Sequence, residues 1–491
     1  MVGNCRRSRW WIGGTLAVPL LIAFGPTQAD PPGRRAANDS SSSRIDAVIA
    51  KVIRDISPSV PPPVEAPADS SDRTSPAAKG VGAGSPALPE GVSYSLEFER
   101  NVQRITNPYR LLNSAGSQRH ADTAVTDELR AAFVVPLASE RTRLLASAAF
   151  GNVGYQDQSK LDYHPHALRA VLQWQAGDLL RGSVMAFDRV RQNRFLAASW
   201  PERDLLKQRL FAADVGLWVT ESLALPRLSV SRTQSRYEFA ANQALYNRDD
   251  SQVQVAASYL GKESSYAMAG LSMIRSRYPD RTPLQIQQLD DAYRDREYFV
   301  SGLWDYSAKT QVEAYLGWRH RRYANLSARD VNFLTADLKA NWLYSAKTSF
   351  HVHLWSHPYG NEEDPATLYS IQSGGRFSVR WKAGEKTWLS MNVVRERQKN
   401  HLIGAGGVSE TMAWRFGPRL EWQMNRNVLL TLDGWREQVS GAGYPGYGGS
   451  VVRIGVVLSH DNDGSPPASR QYVHVECDAP RYVETTFSCD P

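Results

Sequence analysis

Apolar and polar residues alternate with a period of two from about residue 92 to residue 460. The segment 411–424 shows the pattern most clearly. Its apolar positions are Met412, Trp414, Phe416, Pro418, Leu420, Trp422 and Met424. The positions between them are Thr411, Ala413, Arg415, Gly417, Arg419, Glu421 and Gln423. Alternation over about ten residues with one apolar face predicts a membrane-crossing strand, because strands of a soluble sandwich are shorter and bury that face against a second sheet.

Short and long connections alternate between these segments. The short ones lie at 138–142, 176–178, 261–264, 307–310, 345–348, 383–386 and 425–427. The longer, polar ones lie at 106–121, 193–205, 236–250, 278–295, 359–367, 399–407 and 440–449. Short turns at one end and long loops at the other are typical of transmembrane barrels. We therefore predict an all-β fold, an antiparallel transmembrane β-barrel of about 18 strands (16 as the alternative) spanning residues 92–460.

With an even number of strands, the first strand begins and the last strand ends on the same side of the membrane. We expect the Gram-negative outer membrane, with both termini in the periplasm. Aromatic residues near the predicted strand ends fit an interfacial girdle, although core packing in a soluble β protein is the alternative. These aromatic residues are Trp174, Trp218, Trp304, Tyr306, Trp318, Trp342, Tyr344, Trp381 and Trp422.

Residues 1–29 have the features of a secretory signal peptide. Three arginines precede the apolar run Trp10–Phe24, and the small-residue sequence Thr27-Gln28-Ala29 follows it. An N-terminal membrane anchor is the alternative, but the apolar run is short for a transmembrane helix, which needs about 20 residues.

Two further segments flank the predicted barrel. Residues 30–91 are rich in Pro, Ser, Ala and Gly and predict a disordered periplasmic tether. Within the tether, apolar residues recur at helical spacing over 44–56, which indicates either a short helix or a chance pattern. In the predicted periplasmic tail, 461–491, Cys477 and Cys489 fit a disulfide in an oxidising compartment, and two unpaired thiols are the alternative.

Composition excludes several classes of protein. No apolar run beyond the signal peptide is long enough for a transmembrane helix, so a helical transporter is excluded. With 57 Lys and Arg against 50 Asp and Glu, the basic surplus is small, and secretion makes nucleic acid an unsuitable partner. Because the sequence contains no G-x-S-x-G, H-E-x-x-H, C-x-x-C or P-loop motif, we predict no enzyme and no cofactor. A catalytic pair assembled from distant strands would leave no such motif.

The positions predicted to face the lumen carry about twice as many basic as acidic side chains, which favours anions in transit. The basic set is Arg130, Arg169, Arg181, Arg209, Arg227, Arg319, Arg321, Lys339, Arg376, Arg380, Arg415, Arg419 and Arg453. The acidic set is Glu97, Glu128, Glu313, Asp337, Glu421 and Asp433. For any single arginine, facing water and pairing across the lumen is the simpler interpretation.

Two other side-chain types are predicted inside the barrel. Trp355, Trp388 and Trp435 would offer flat surfaces to the apolar faces of sugars. His351, His353 and His357 share one face of one strand. We predict three solvated lumenal histidines rather than a metal site.

Several short motifs then suggest a family. The first predicted strand ends Glu99-Arg100-Asn101-Val102-Gln103-Arg104, and a loop reads Arg277-Tyr278-Pro279-Asp280-Arg281. Gly317–Tyr323 is followed by Arg329–Phe333, and a turn reads Ala346-Lys347-Thr348. Together they resemble motifs of the outer-membrane β-barrel family encoded in exopolysaccharide-biosynthesis operons, the EpsL-type β-barrel porins. The Pro-rich tether and the cysteine-bearing tail depart from that pattern.

The resemblance implies an outer-membrane barrel that takes part in exopolysaccharide biosynthesis and export, as a conduit for the polymer or an accessory to one. The implied partners are a polysaccharide (acidic, if arginines contact it), outer-membrane lipid, and periplasmic or inner-membrane synthesis components. The side chains expected to face the polymer are Arg319, Arg321, Arg376, Arg380, Arg415 and Arg419. We also expect the 278–295 loop to act as an extracellular gate. A general or sugar-uptake porin, or a structural or adhesive barrel, is the alternative.

Overall fold

The computed structural model describes residues 92–113, 120–139, 142–193, 203–261, 265–359, 367–402, 407–441 and 444–461. The predicted signal peptide, the tether with its helical pattern at 44–56, and the tail with Cys477 and Cys489 lie outside these residues. Within the described ranges, no helix combines the length and the apolar character needed to cross a membrane.

The described chain forms an 18-stranded antiparallel sheet. Its first nine strands are β1 Ser93–Ile105, β2 Asp122–Ser139, β3 Thr142–Tyr155, β4 His166–Ala176, β5 Leu180–Gln192, β6 Leu205–Trp218, β7 Leu223–Tyr237, β8 Arg248–Leu260 and β9 Tyr266–Arg277. The others are β10 Ala292–Ser307, β11 Thr310–Tyr323, β12 Val331–Ser345, β13 Thr348–Tyr359, β14 Thr367–Lys382, β15 Thr387–Leu402, β16 Val408–Asn425, β17 Val428–Gly441 and β18 Tyr444–Asp461. The helical elements are α1 Ala240–Tyr246, α2 Pro283–Leu289 and the 3₁₀ turns Ser159–Leu161 and Ser327–Arg329.

The sheet closes on itself at β1, which pairs with both β2 and β18. Glu97, for example, lies opposite Arg130 on one side and Ser459 on the other. Closure leaves no sheet edge, and hydrocarbon requires this because it cannot hydrogen-bond an unpaired backbone group. The prediction of an 18-stranded transmembrane β-barrel is therefore confirmed.

Connections of two lengths define the two ends of the barrel. At the end where β1 begins and β18 ends, strands are joined by short turns, and we call it the turn end. At the opposite end, which we call the loop end, most connections are longer, and those after β7 and β9 contain α1 and α2. The predicted long loop at 440–449 is wrong, because the strands continue until Gly441 lies opposite Tyr444. The sequence pattern also missed the connections at 156–165, 219–222 and 324–330.

Side chains alternate between an apolar outer face and a mostly polar inner face. On β16, Trp414 and Phe416 are exposed on the outside, whereas Arg415 between them is buried on the inside. Outward apolar side chains recur around the barrel, as in Leu129, Phe150, Phe211, Val253, Trp318, Leu334, Phe377 and Ile454. A band of this kind is the surface that a barrel presents to lipid.

Arg209 is the one predicted inward arginine that the structure places on the outside among the described residues. The inward positions of β6 are Leu206, Gln208, Leu210 and Ala212, all buried, so residue 209 falls on the opposite face. Its side chain is 77% exposed and pairs with Asp188. The error arose because the charge of Arg209 suggested the lumen, although the phase of the buried neighbours sets the facing.

Most of the predicted aromatic girdle lies outward near the turn end. Trp304 packs edge-on against Tyr306, and Trp342 against Tyr344, with the two ring centroids 5.0 and 5.2 Å apart respectively. Trp218 does not belong to the girdle. It is buried on the inner face, where the guanidinium carbon of Arg181 lies 4.8 Å from its ring centroid.

The inner face also carries two apolar clusters that the sequence pattern did not predict. One joins β3 to β6 and consists of Ala149, Ala167, Val171, Met185, Phe187, Leu210 and Ala212. The other joins β6 to β11 and consists of Trp218, Ala224, Ala256, Leu260, Tyr266, Met268, Phe299, Leu303 and Tyr315. Charged side chains also lie on the inner faces of these strands, where Arg227 on β7, for example, pairs with Asp214 on β6.

Candidate functional site

The inner faces of β13 to β18 bring basic and indole side chains together on one side of the lumen. We call this surface the arginine–tryptophan wall. Its members are Arg376, Arg380, Arg415, Arg419, Arg453, Trp355, Trp388 and Trp435. Strand register places them, since each occupies an alternate position on the face opposite to the exposed apolar residues of its strand.

Trp435 occupies the centre of the wall. The guanidinium carbon of Arg415 lies 4.8 Å from its ring centroid, and that of Arg453 lies 5.4 Å away. The Nε of Arg453 also donates to both carboxylate oxygens of Asp433, at 3.1 and 3.0 Å. Stacking and ion pairing fix the orientation of these guanidinium groups without neutralising the local excess of positive charge.

A second part of the wall lies nearer the turn end. Arg380 donates to Glu421 at 2.6 Å, and its guanidinium carbon lies 5.5 Å from the ring centroid of Trp388. Arg419 pairs with the same carboxylate at 3.1 Å. Because the side chain of Arg380 remains 43% exposed, this cation is both oriented and accessible from the lumen.

Arg319 and Arg321 form a different arrangement on β11. Arg321 donates to both oxygens of Asp295, at 2.9 and 3.0 Å, and Arg319 donates to Glu297 at 2.7 Å. All four side chains are buried. The six arginines expected to face a polymer therefore divide into two groups. Four lie in the arginine–tryptophan wall, and two, Arg319 and Arg321, are held in buried ion pairs between β10 and β11. The sequence signal for this pairing was the presence of Asp295 and Glu297 at alternate positions of β10.

A third charged cluster lies at the closure of the barrel. Arg130 on β2 pairs with Glu97, with Glu99 at 2.5 Å and with Glu128 at 2.9 Å. Glu99 was missing from the predicted lumenal carboxylates. One guanidinium therefore holds together three carboxylates that would otherwise repel one another on the inner face.

The three predicted lumenal histidines lie on the inner face of β13, each beside a different partner. His351 lies 2.6 Å from the side-chain oxygen of Asn341, His353 lies 2.8 Å from Asp337, and His357 lies 3.1 Å from Gln372. In the part of the chain that the structure describes, no group of three or more His, Cys, Asp or Glu residues could hold a metal ion.

The loop end is fastened by a recurring aspartate. Asp290, just before β10, accepts from the backbone amides of Asn325 and Leu326 at 2.6 and 2.9 Å. Asp204, just before β6, accepts in the same way from residues 238 and 239 at 3.1 and 2.8 Å. Asp122, at the start of β2, accepts from residues 157 and 158 at 3.1 and 2.8 Å. Each carboxylate thus fixes the next loop around the loop end. We call this ring of loops the rim.

The 278–295 segment, expected to be a gate, is held by several hydrogen bonds of its own. Thr282 and Gln285 form a capping box at the start of α2, and Arg281 donates to the carbonyl oxygen of Leu289 at 2.8 Å. Burial alone would raise the pKa of Asp290, but donated hydrogen bonds, first from the backbone amides of Asn325 and Leu326, outweigh it and lower that pKa. Such bonding favours a fixed rim over a mobile gate.

No protein family and no curated protein matches the chain. The resemblance to the exopolysaccharide-operon barrels is therefore not supported by a match. Among solved structures, the outer membrane protein opdK of Pseudomonas aeruginosa is 11% identical, with a TM-score of 0.41 over 75% of this chain and 99% of that chain. OccAB3 of Acinetobacter baumannii is 9% identical, with a TM-score of 0.42 over 76% and 100%. The siderophore receptor PirA of Acinetobacter baumannii is 6% identical, with a TM-score of 0.40 over 76% and 81%. At these levels of similarity, function has to be inferred from the barrel's own residues.

Proposed function

We propose that the protein is an outer-membrane conduit for anionic saccharide chains and that it serves the export of an exopolysaccharide. The arginine–tryptophan wall is the observation that carries the proposal. Guanidinium groups bind carboxylate and phosphate oxygens through paired charge-assisted hydrogen bonds, and aromatic rings stack on apolar surfaces. A polymer with acidic groups and apolar sugar faces would find both kinds of contact along this wall.

The outer face of the barrel indicates the membrane in which the protein lies. The closed sheet, the outward apolar band and the aromatic residues near the turn end fit the outer membrane of a Gram-negative cell. Because short turns usually face the periplasm, the turn end would lie there, and the chain would enter and leave the barrel on that side. Periplasmic or inner-membrane synthesis components would then deliver the polymer to the turn end.

Transport through the barrel needs a lumen wide enough for a hydrated chain. Barrels of about 16–18 strands can enclose an aqueous channel. In the described residues, the extensive contacts between strands join neighbours in the sheet, as expected for the wall of a barrel. The fastened loops would keep the mouth at the loop end at a constant width.

The test is anion selectivity in planar bilayers containing the purified full-length chain. We expect a reversal potential that favours anions, and a marked loss of that preference in the double variant Arg376→Gln/Arg380→Gln. The matched control is Arg209→Gln, which removes an arginine from the outer face. Unchanged selectivity in the double variant would contradict the proposal.

A gene-deletion strain separates the proposal from its alternatives. We expect the secreted polysaccharide to fall while uptake of small sugars stays normal. Normal secretion with reduced sugar uptake would instead indicate an uptake porin. A protein that inserts but conducts no ions would indicate a structural or adhesive barrel.

A further inference from the structure

Three arginines form a row on the outer face of the barrel, close to the loop end. Arg294 on β10 lies directly opposite Arg275 on β9 and directly opposite Arg322 on β11. All three side chains are exposed, and we call them the arginine row. Residues paired in this way have Cβ atoms roughly 5 Å apart, and like charges directly opposite each other destabilise a sheet. The row is therefore unfavourable for the folded barrel unless an anion lies against it.

The protein itself supplies little negative charge to this row. Arg322 pairs with Asp330 at 2.7 Å. Within the described ranges, the side chains of the other two arginines make no ion pair and no hydrogen bond. Arg277 extends the basic surface toward the loop end, and Asp249, which lies opposite it, pairs instead with Arg236 at 2.5 Å. The guanidinium groups thus leave room for an external anion.

The arginine row borders the apolar band of the outer face. Along β10, the outward positions Arg294 and Arg296 are followed by Tyr298, which is 62% exposed. At the turn end the same face carries Trp304 and Tyr306. The two borders of the band therefore differ, with arginines at the loop end and aromatic rings at the turn end. Long arginine side chains at such a border place their charged groups among lipid headgroups.

We propose that the arginine row, flanked by Arg277 and Arg296, binds the phosphate groups of a phosphorylated glycolipid in the leaflet at the loop end. Paired N–H groups of a guanidinium match phosphate oxygens, and clustered basic residues recruit anionic headgroups. The acyl chains would lie along the apolar band, against Tyr298 and Trp318, which face each other across β10 and β11.

The orientation of the barrel selects the lipid. With the turn end in the periplasm, the loop end lies in the outer leaflet, which in a Gram-negative cell consists of glycolipid anchored by lipid A. Lipid A carries more than one phosphate group, and several adjacent cations suit such a headgroup better than the single phosphate of a phospholipid. This proposal depends on the proposed orientation and is independent of what passes through the lumen.

The experiment measures the dissociation constant of lipid A from the full-length protein in detergent, by native mass spectrometry. Monophosphoryl lipid A, phosphatidylglycerol and inorganic phosphate are the comparison probes. We expect lipid A to bind most tightly, and Arg275→Gln/Arg294→Gln to weaken it roughly tenfold to a hundredfold through the loss of charge-assisted hydrogen bonds. The matched control is Arg100→Gln on β1, on the far side of the sheet, where Arg100 lies 3.5 Å from Asp127. It should bind lipid A as wild type does.

Thermal unfolding separates a binding defect from a folding defect. Because Arg275→Gln/Arg294→Gln removes like charges that face each other, the variant should be at least as stable as wild type without lipid A. Added lipid A should raise the melting temperature of wild type more than that of the variant. A variant that is less stable without lipid A would show that the row has a structural role, which would overturn the proposal.

The remaining outcomes identify other occupants of the surface. Equal dissociation constants for wild type and Arg275→Gln/Arg294→Gln would overturn the proposal. Equally tight binding of phosphatidylglycerol would overturn the assignment to a glycolipid, and equally tight binding of inorganic phosphate would indicate a site for free anions. Loss of dimers rather than of lipid in the variant would indicate an interface between two copies of the chain.

Orientation is tested separately in intact cells. A membrane-impermeant maleimide should label Arg277→Cys above the level of the unsubstituted chain. Absence of this labelling would place the arginine row outside the outer leaflet and overturn the assignment. None of these measurements needs ion conductance, so failure of the proposed conduit would leave their results unchanged.

Discussion

The carboxylate of Asp290 and the backbone amide of Leu326 are joined by a hydrogen bond of 2.9 Å, although 36 residues separate them in the sequence. Asp290 makes this contact from an unusual backbone conformation, with φ 66° and ψ 165°. Residues other than glycine adopt this region only when the surroundings hold them there. The rim is therefore built around this side chain, and its loss should loosen two loops at once.

We expect Asp290→Asn to lower the free energy of unfolding by about 1–3 kcal/mol, because it removes a charged acceptor shared by several amides. Hydrogen exchange should show faster exchange of the amides of Asn325 and Leu326 at pH 7. Asp291→Asn is the control, since the carboxylate of Asp291 accepts a longer bond, 3.2 Å, from the side chain of Asn325. Equal protection of these amides in both variants would show that Asp290 does not fasten the loop.

The same site predicts a dependence on pH. The pKa of Asp290 is lowered in the folded protein, so its contribution is complete above the unfolded value, about 3.9. That contribution is lost as the pH falls through the folded pKa. The difference in melting temperature between wild type and Asp290→Asn should therefore be largest near neutral pH and shrink below about pH 4. A difference that stays constant down to pH 2 would contradict a role for the charge.

The period-two pattern predicted the barrel well because lipid on one side and water on the other impose opposite demands on alternate residues. It failed where other forces set the facing. The buried positions Leu206, Leu210 and Ala212 fix the phase of β6, and this phase puts Arg209 outside and Trp218 inside. The charge of Arg209 and the position of Trp218 near a strand end suggested the opposite faces.

The candidate site was only partly predictable for the same reason. Alternation placed the arginines in the lumen, but it could not show that Arg319 and Arg321 are held by Asp295 and Glu297, or that Arg415 and Arg453 meet at Trp435. Those pairings depend on the register between strands.

One feature of the rim did have a sequence signal. The spacing Tyr-x-x-x-Ser-x-x-Asp occurs at 155–162 and again at 323–330. In both segments a 3₁₀ turn begins at the serine, and the final aspartate accepts from the backbone amide of the tyrosine, at 2.7 and 2.8 Å. The repeat would have indicated two equivalent closed loops.

The burial of Arg321 and the exposure of Arg380 lead to opposite predictions for two arginines of the same predicted set. Arg321→Gln should lower stability by about 3–5 kcal/mol, because it removes the nearer cation from the buried carboxylate of Asp295 and leaves Arg319 at 3.6 Å. Arg380→Gln should change stability little, since its side chain is 43% exposed, but it should reduce anion selectivity. Urea unfolding and reversal potentials measure the two effects. If Arg321→Gln instead changed anion selectivity and Arg380→Gln lowered stability, the ion pair with Asp295 would not keep Arg321 away from the transported solute.

The cluster at the barrel closure gives a further prediction. Arg130→Gln would leave Glu97, Glu99 and Glu128 close together without their shared cation, so the barrel should unfold at lower urea concentration. Arg130→Lys should recover only part of the loss, because an ammonium group cannot reproduce the forked contacts of a guanidinium. Removing Glu99 as well as Arg130 should relieve repulsion and restore stability in part. If the double variant were as unstable as Arg130→Gln, repulsion among the carboxylates would not be the cause.

The two faces of the sheet can be distinguished by quenching of tryptophan fluorescence with brominated lipids. Trp342 and Trp381 lie outward near the turn end and are exposed on the barrel surface, whereas Trp388 and Trp435 occupy inner-face positions. Quenchers in the lipid should reach only the first pair, since contact is needed. We therefore expect Trp342→Phe/Trp381→Phe to reduce the lipid-quenchable fraction of the fluorescence. Trp388→Phe/Trp435→Phe should raise that fraction, because it removes only protected emitters. The opposite result would place the arginine–tryptophan wall against lipid and exclude it as a lumenal surface.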